Sequence, residues 1–252
     1  MRVLVTGGSG FVGGSIVRTL LQQGNQVRVF ARHNNWTDHL TALGIEIAYG
    51  DILDLSSIKE ALKDCTMLYH AAALYDLWGL EEQTLMQTER EGTRNALDAA
   101  LLGNVAKVIY TSTAVIIGEE MGVIGTESTK HRGYFLKKYE RAKFEAEQIA
   151  VSYLNKGLPL IIVNLAGVYR PGDLKPSGRA IIDLINGRMP GLFKGTNSLV
   201  YLDDVGMGHV LAAMSRVPAA MIISGSFLIM CHSRRKMKRG SSYINAYAER
   251  II

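Results

Sequence analysis

The segment RVLVTGGSGFVG, residues 2–13, decides the fold because it leads from a buried strand through a glycine-rich turn into a helix. The mostly apolar run at 2–6 is typical of a strand that is buried on both faces. Over residues 11–23, Ile16 and Leu20 recur at helical spacing and predict a helix with one apolar side. A strand, a tight turn and a helix in this order predict the beginning of a βαβ unit.

Three glycines give the turn, TGGSGFVG at 6–13, the properties of a phosphate-binding loop. Gly7 and Gly10 allow a sharp turn and a close approach of the backbone to a pyrophosphate, and Gly13 allows the helix to pack closely on the strand. The helix N-terminus offers free N–H groups and the positive end of the helix dipole to the same anion. A glycine-rich turn without a ligand is the alternative, but the strand–turn–helix context favours dinucleotide binding.

Strand and helix patterns alternate along the chain up to about residue 165. Such alternation predicts parallel strands joined by right-handed crossovers, and therefore an α/β doubly wound parallel sheet of the Rossmann type. The other strands are predicted near 26–30, 45–49, 66–71, 105–112 and 158–164, and the other helices near 36–43, 55–63, 82–102 and from the segment 134–148 to about 156.

The rhythm of strands and helices breaks up in the rest of the chain, where Pro171, Pro176 and Pro190 occur among many glycines. We therefore expect residues 1–165 to form a dinucleotide-binding domain and 166–252 a small, irregular substrate-binding region.

Composition indicates a globular protein with a sizeable core. The chain has 252 residues, of which 48% are hydrophobic and 20% charged, enough for one large α/β domain with or without a small appendage. Its two cysteines, Cys65 and Cys231, offer no disulfide framework or zinc spacing, which suits a reducing compartment. A strand pattern begins at Arg2 without a charged leader and an apolar run, so no signal peptide and a cytoplasmic location are expected.

The positive charge of the chain is concentrated near its C-terminus. The formal net charge is +5, and the five basic residues within 234–239 account for all of it. A neutral body with a basic tail does not resemble a surface that follows nucleic-acid phosphates, so no nucleic-acid partner is expected. The apolar run at 219–231 is shorter than the ~20 residues needed to span a bilayer, so no membrane span is expected either.

The end of the second strand bears on the choice of dinucleotide. An acidic residue there would accept a hydrogen bond from the adenosine 2′-hydroxyl and repel a 2′-phosphate. The segment VRVFARH at 27–33 contains no carboxylate and places Arg32 where a 2′-phosphate would lie. NADP(H) is therefore favoured as the cofactor, while NAD(H) remains open, with Arg32 then an ordinary solvated side chain.

Small and hydroxyl side chains follow the fourth and fifth strands, HAAA at 70–73 and YTSTA at 110–114. Small residues at the carboxyl end of a strand leave room for a ligand at the switch point of the sheet. Hydroxyls can orient a substrate carbonyl, although strand propensity and capping explain these hydroxyls better when they are taken alone. His70 is interpreted as a strand-end histidine, because no acid or metal ligand accompanies it in the sequence, and no metal site is expected.

The stretch YFLKKYERAKFEAEQ, residues 134–148, contains two Tyr-x-x-x-Lys pairs, Tyr134 with Lys138 and Tyr139 with Lys143. Residues four apart share a face of a helix, so either pair could join a phenol to an ammonium group. Helical phase, at about 100° per residue, separates the two pairs.

The second pair lies on the apolar side of the predicted helix. Ala146, Ala150 and Tyr153 share the face of Tyr139 and Lys143, whereas Tyr134 lies on the polar side or precedes the helix. A lysine on a buried face is costly without a partner, so Tyr139 and Lys143 are predicted to be the functional pair.

Taken together, the motifs TGGSGFVG, GDILD, HAAA, YTSTA, YERAKFEAE and NLAGVYRPGD resemble, in their order, the extended short-chain dehydrogenases/reductases of the NAD-dependent epimerase/dehydratase superfamily. The segments HAAALYDLW and KPSGRAIIDLINGRMP are similar to its dihydroflavonol-4-reductase-like branch, which includes hopanoid-associated sugar epimerase-like proteins. The resemblance covers residues 1–215, and members continue for several tens of residues beyond residue 252, so the substrate region is expected to be truncated or divergent after about 215.

The resemblance implies roles for individual residues. Tyr139 would be the general acid/base, Lys143 would lower its pKa and hold the nicotinamide ribose, and Thr113, beside Ser112, would orient the substrate oxygen. The implied cofactor-binding residues are Gly7, Gly10, Phe11, Val12, Gly13, Arg32, Asp51, Ile52, Ala71, Ala72, Ala73, Tyr139, Lys143, Leu165 and Val168.

Three positions depart from the family's usual residues. Glu89 stands where an asparagine is usual, Leu165 where a proline is usual, and Arg170 where a glycine is usual.

The resemblance implies an NADP(H)-dependent oxidoreductase acting on a carbonyl or alcohol of a small-molecule substrate. A nucleotide-sugar epimerase or dehydratase with bound NAD and a non-catalytic NADP(H)-binding regulatory protein are the alternatives. Family members often pair through two long helices, so a homodimer is one expected state, and the sequence names neither the substrate nor the direction of reaction.

Overall fold

A computed structural model describes residues 1–33, 37–75, 81–171, 173, 176–188, 195–215, 220–223 and 227–230. The chain forms two compact units. The first comprises Met1–Leu165 and Val205–Ile223, and the second comprises Ala166–Asp204 and Ser224–Ile252. The assignment of residues 166–252 to substrate binding stays a prediction.

The first unit is built on a parallel sheet whose strand order is β3-β2-β1-β4-β5-β6-β9. The chain moves outward from β1 to β3 and then returns to the other side of β1 at β4, so a switch point lies between β1 and β4. The predicted doubly wound sheet is therefore confirmed. The strands are β1 (Arg2–Thr6), β2 (Gln26–Ala31), β3 (Glu46–Tyr49), β4 (Met67–His70), β5 (Lys107–Thr113), β6 (Leu160–Leu165), β7 (Gly167–Tyr169), β8 (Gly195–Tyr201), β9 (Ala220–Ile223) and β10 (Phe227–Met230).

Helices connect the parallel strands, and α4 packs against both α3 and α5. Fully buried apolar side chains such as Leu68, Leu97 and Ile162 join these helices to the sheet. Each such side chain contributes about 1.5–3 kcal/mol relative to its exposure to water. The helices are α1 (Phe11–Gln22), α2 (Asp38–Thr41), α3 (Leu55–Leu62), α4 (Glu82–Leu102), α5 (Lys138–Asn155), α6 (Pro176–Ile185) and α7 (Leu202–Met214).

Two predicted helices are shorter than expected. Of the predicted helix at 36–43, residues 38–41 are helical, and residue 36 lies outside the described residues. Helix α5 begins at Lys138, because Gly133 adopts a φ of +90° and Lys137 is extended with φ −143° and ψ 152°. Tyr134 therefore precedes the helix.

Regular elements also occur after residue 165. In the second unit, β8 pairs in parallel with β7 and antiparallel with β10. Strand β9 extends the sheet of the first unit beside β6. In the part of the chain that the structure describes, no helix is both long and apolar enough to cross a membrane.

Candidate active site

The turn between β1 and α1 has the geometry of a backbone cradle. Gly7 adopts a φ of +70°, a conformation that side chains disfavour, and its carbonyl accepts a 2.9 Å hydrogen bond from Gly10 N. A Cβ added at Gly13 would lie 2.1 Å from Gly7 O, so helix and turn touch where Gly13 has no side chain. Gly10 is the N-cap and cannot satisfy the first helical N–H groups with a side chain. The turn therefore fits a pyrophosphate.

The end of β4 lies directly beside this turn. A Cβ added at Gly7 would lie 2.7 Å from the backbone of Ala71 and Ala72. Thr6 Oγ1 accepts a 3.2 Å hydrogen bond from Ala72 N and lies 2.7 Å from His70 Nδ1. Ala71 and Ala72 are therefore held at the switch point, and His70 is satisfied within the fold. The role of residues 71–73 along a cofactor's path stays a prediction.

The predicted adenosine side of the site lies at the ends of β2 and β3. Arg32 is exposed directly after β2. The imidazole ring of the next residue, His33, stacks on Tyr49 with ring centroids 4.1 Å apart. The carboxylate of Asp51 accepts a 2.9 Å hydrogen bond from Leu53 N and so shapes the turn after β3.

Helix α4 supports the residue that follows Asp51. Asn95 Nδ2 donates a 3.0 Å hydrogen bond to Ile52 O, and a Cβ added at Gly92 would lie 2.6 Å from Ile52 Cδ1. Ile52 is thereby held just after β3, the strand that pairs with β2, where the resemblance places adenosine.

The predicted Tyr-Lys pair occupies the first turns of α5. Lys143 is 3% exposed, and Tyr139 is partly buried with its ring edge-to-face against Tyr75 at a centroid distance of 5.5 Å. Ala146 and Ala150, further along the same face, are fully buried. The burial of this face agrees with the helical phase inferred from the sequence.

The other pair lies elsewhere. Tyr134 is 54% exposed in the segment before α5, and Arg132 lies over its ring at 5.1 Å. Its phenol is therefore a surface group, which makes Tyr134 a natural control for Tyr139.

Lys143 forms a buried ion pair that sequence reasoning did not identify. Its Nζ donates to Glu89 Oε2 at 3.1 Å, and Glu89 is 2% exposed on α4. The family pattern marks Glu89 only as a departure from an asparagine. A stronger signal was available, because Glu89 lies four residues after Leu85 and four before Thr93, on the buried stripe of its helix.

Both Tyr139 and Lys143 have raised pKa values, so the protonated form of each is favoured. Burial alone would lower the pKa of Lys143, but the carboxylate of Glu89 and the nearby phenols outweigh it and raise that pKa. Burial raises the pKa of Tyr139 to about 12, with Lys143 acting to lower it and Glu89 to raise it. At neutral pH the pair is thus an ammonium beside a protonated phenol.

Thr113 ends β5 and is tied to the neighbouring strand. Its hydroxyl donates to Leu165 O at 3.4 Å, and its carbonyl accepts from Asn164 Nδ2 at 3.5 Å. Asn164 Nδ2 also donates to Glu147 Oε2 at 2.7 Å, which connects the strand ends to α5 one turn after Lys143. Leu165 and Thr113 are therefore positioned by the same contacts, whereas Val168 lies in β7 of the second unit.

A buried histidine on α7 reinforces the same strand. His209 Nδ1 lies 2.7 Å from Val205 O, and because a carbonyl only accepts, Nδ1 carries the proton. Nε2 of the neutral ring then accepts from Thr111 Oγ1 at 3.0 Å. Burial lowers the pKa of His209 to about 4 and that of His70 to about 3, so both rings are neutral in the folded chain at pH 7.

Because both histidines are buried in their neutral form, we expect acid to destabilise the folded chain. Their folded pKa values lie below the unfolded value of 6.5, so the unfolded chain binds their protons first as the pH falls. The stabilisation is complete above pH 6.5 and is lost toward the folded values of about 3 and 4. Each histidine contributes a slope of about 1.4 kcal/mol per pH unit to the free energy of unfolding.

Denaturant unfolding of His209→Gln and of the parent chain, at several pH values between 6 and 4.5, checks this expectation. Glutamine keeps a donor and an acceptor but does not titrate, so the parent's slope should exceed the variant's by about 1.4 kcal/mol per pH unit. Equal slopes would contradict a neutral buried His209.

The described residues contain no group of three or more His, Cys, Asp or Glu side chains that could hold a metal ion. A glycine-rich turn at the switch point and a tyrosine–lysine pair on the inward face of α5 thus lie in one doubly wound α/β unit. The chain belongs to the 3-beta hydroxysteroid dehydrogenase/isomerase family, whose sequence model matches residues 4–228. This places it among the extended short-chain dehydrogenases/reductases, as the motifs indicated.

Two relatives illustrate the family. The chain is 34% identical over 216 residues to a putative dihydroflavonol 4-reductase of Synechocystis sp., covering 82% of this chain and 62% of the relative. It is also 34% identical over 215 residues to sterol demethylase protein B of Methylococcus capsulatus, covering 84% of this chain and 66% of that protein. The chain thus spans less than two thirds of the length of either relative.

Solved structures share the fold. The crystal structure of gox2253 superposes with a TM-score of 0.84 at 35% identity, covering 90% of this chain and 71% of that one. The UDP-glucose 4-epimerase of Thermus thermophilus, solved as a complex with NAD, gives a TM-score of 0.77 at 26% identity, covering 91% of this chain and 79% of that one.

Proposed function

We propose that this chain is an NADP(H)-dependent oxidoreductase that interconverts a carbonyl and an alcohol in a small organic substrate. The observation that carries the proposal is the Tyr139–Lys143 pair, held on the buried face of α5 in the same unit as the glycine cradle. The family and its named dehydrogenases and reductases support this chemistry.

Each residue of the pair has a separate task. A nicotinamide held there would supply the hydride for reduction and take it up in oxidation. The Tyr139 hydroxyl donates its proton to the carbonyl oxygen during reduction, or accepts the alcohol's proton in the reverse direction. The Lys143 ammonium stabilises the phenolate formed by that donation and holds the ribose hydroxyls. The Thr113 hydroxyl, at the end of β5, orients the substrate oxygen.

The cofactor is held by the turn after β1 and by the ends of the next three strands. Gly7, Gly10 and Gly13 bring the backbone to the pyrophosphate, with Phe11 and Val12 at the start of α1. Asp51 and Ile52 would flank the adenine, and residues 71–73 would line the path to the nicotinamide.

The proposal is tested with purified protein, a panel of ketones and aldehydes, and calorimetric titration with each dinucleotide. NADPH oxidation that depends on a panel member supports it. Dinucleotide binding without turnover would favour a regulatory protein instead. The likeness to the UDP-glucose 4-epimerase supports a second candidate, a nucleotide-sugar epimerase, which an absorbing NAD that survives dialysis would favour.

Arg32 is expected to select NADP(H). It is exposed at the end of β2, where the chain offers no carboxylate to a 2′-hydroxyl. A charge-assisted hydrogen bond to a phosphate contributes about 1.5–3 kcal/mol, so Arg32→Ser should weaken NADPH binding about 10- to 150-fold. NADH lacks the 2′-phosphate, and its affinity should change little.

Lys156→Ser is the control for this prediction, because Lys156 is an exposed cation at the far end of α5, after Asn155. Calorimetry should show parent-like affinity of that variant for both cofactors. Equal weakening of NADPH binding in the two variants would indicate a general charge effect, and unchanged binding in Arg32→Ser would remove Arg32 from the site.

A further inference from the structure

We propose that Glu89 is a positioning residue that gives Lys143 a buried counter-charge and thereby keeps the hydroxyl of Tyr139 in its proton-donating form across neutral pH. This inference rests on the proposed function, because it concerns the same acid/base pair.

Glu89 joins three parts of the first unit. One carboxylate oxygen, Oε2, accepts from Lys143 Nζ on α5 at 3.1 Å, and the other, Oε1, accepts from Leu74 N after β4 at 2.7 Å. Each carboxylate oxygen thus accepts a hydrogen bond from the protein. Glu89 is 2% exposed and Lys143 is 3% exposed, so the ammonium has a fixed counter-charge instead of water. An asparagine at this position could accept from the same amide, but it would leave the ammonium's charge uncompensated.

The counter-charge changes what Lys143 can do for Tyr139. An ammonium beside a phenol normally favours the phenolate, and a nearby carboxylate opposes it. Burial has the largest effect on the pKa of Tyr139 and raises it. Lys143 lowers this pKa and Glu89 raises it, and the combined result is a pKa of about 12. A phenol in that state is ready as a proton donor, while the phenolate needed to accept a proton from an alcohol is rare at neutral pH.

In the part of the chain that the structure describes, two tyrosines and a histidine also face the pair. From β5, Tyr110 lies with its ring centroid 5.7 Å from Lys143 Nζ, and burial raises the pKa of its hydroxyl. From β4, His70 is neutral because burial lowers its pKa to about 3. Tyr75 packs on Tyr139 from the segment after β4.

A second carboxylate lies further along α5. Glu147 is paired with Asn164 at 2.7 Å, and burial raises its pKa, which favours its uncharged form. Among the described residues, Glu89 is therefore the carboxylate in direct contact with the ammonium of Lys143.

The test compares Glu89→Gln with the charge-retaining Glu89→Asp. Glutamine has the length of glutamate and keeps an acceptor for Leu74 N, so it removes mainly the charge. For alcohol oxidation with NADP⁺, the acid limb of the pH profile of kcat/KM should move down by about one unit or more in Glu89→Gln. Glu89→Asp should stay close to the parent. Unchanged profiles in Glu89→Gln would overturn the proposal, because a purely structural role would lower activity without moving the limb.

A second measurement needs neither turnover nor a Glu89 variant. The ¹³C resonance of the Tyr139 ring carbon that bears the hydroxyl is assigned by its loss in Tyr139→Phe and is followed with pH in the full chain. We expect no titration of this resonance up to pH 10, and titration below pH 10 would overturn the proposal. If no substrate is ever turned over, the proposed function fails, while this titration still decides the state of Tyr139.

Discussion

Tyr139→Phe is expected to lower turnover of any accepted substrate by about 10²- to 10⁴-fold, the range contributed by a positioned general acid. The substitution removes one oxygen atom and leaves the ring, so its edge-to-face contact with Tyr75, at 5.5 Å between centroids, is retained. Lys143 keeps its ion pair with Glu89 at 3.1 Å, and the variant should fold and bind NADPH with nearly the parent's affinity. Steady-state kinetics and calorimetry on the same preparation measure both quantities.

Tyr134→Phe is the matched control. It makes the same chemical change five residues earlier, at a side chain that is 54% exposed and precedes α5. Its kcat and KM should equal those of the parent. A parent-like rate in Tyr139→Phe, or a comparable loss in Tyr134→Phe, would show that Tyr139 is not the acid.

The Tyr-x-x-x-Lys pair that lies on the buried face of α5 could be predicted from sequence because the information is local. Residues four apart on one helix must share a face, so the apolar positions Ala146 and Ala150 identify the side on which Tyr139 and Lys143 lie. The glycine turn was predictable for the same reason, since its strand, loop and helix are contiguous.

The partner of Lys143 was not predictable in this way. Glu89 lies 54 residues earlier on another helix, and only the packing of α4 on α5 brings the two charges together. The contact of His209 with Thr111 spans 98 residues and was missed for the same reason. Strand β9 was missed because four residues, AMII, carry too little pattern to be distinguished from a loop.

Gly13→Ala is expected to damage both stability and cofactor binding. The added Cβ would lie 2.1 Å from Gly7 O and 2.6 Å from Gly7 C, which are backbone atoms that cannot rotate away. Either α1 moves from the sheet or the turn moves, and overpacking of this kind costs about 3 kcal/mol of unfolding free energy. Because the moved turn is also the proposed pyrophosphate cradle, NADPH affinity should fall by at least about 10-fold.

Gly14→Ala separates this close approach from the general effect of replacing a helical glycine. Its added Cβ would meet Gly8 O at 3.5 Å and Arg18 Nη1 at 3.8 Å, both ordinary contacts. Alanine is favoured over glycine within a helix by about 0.5–1 kcal/mol, so this variant should be as stable as the parent or slightly more stable. Denaturant unfolding should therefore show a loss of stability in Gly13→Ala and none in Gly14→Ala, and calorimetry should show weakened NADPH binding in Gly13→Ala but not in Gly14→Ala. If Gly13→Ala matched Gly14→Ala in both measurements, the contact of helix on turn would not be what holds the cradle in shape.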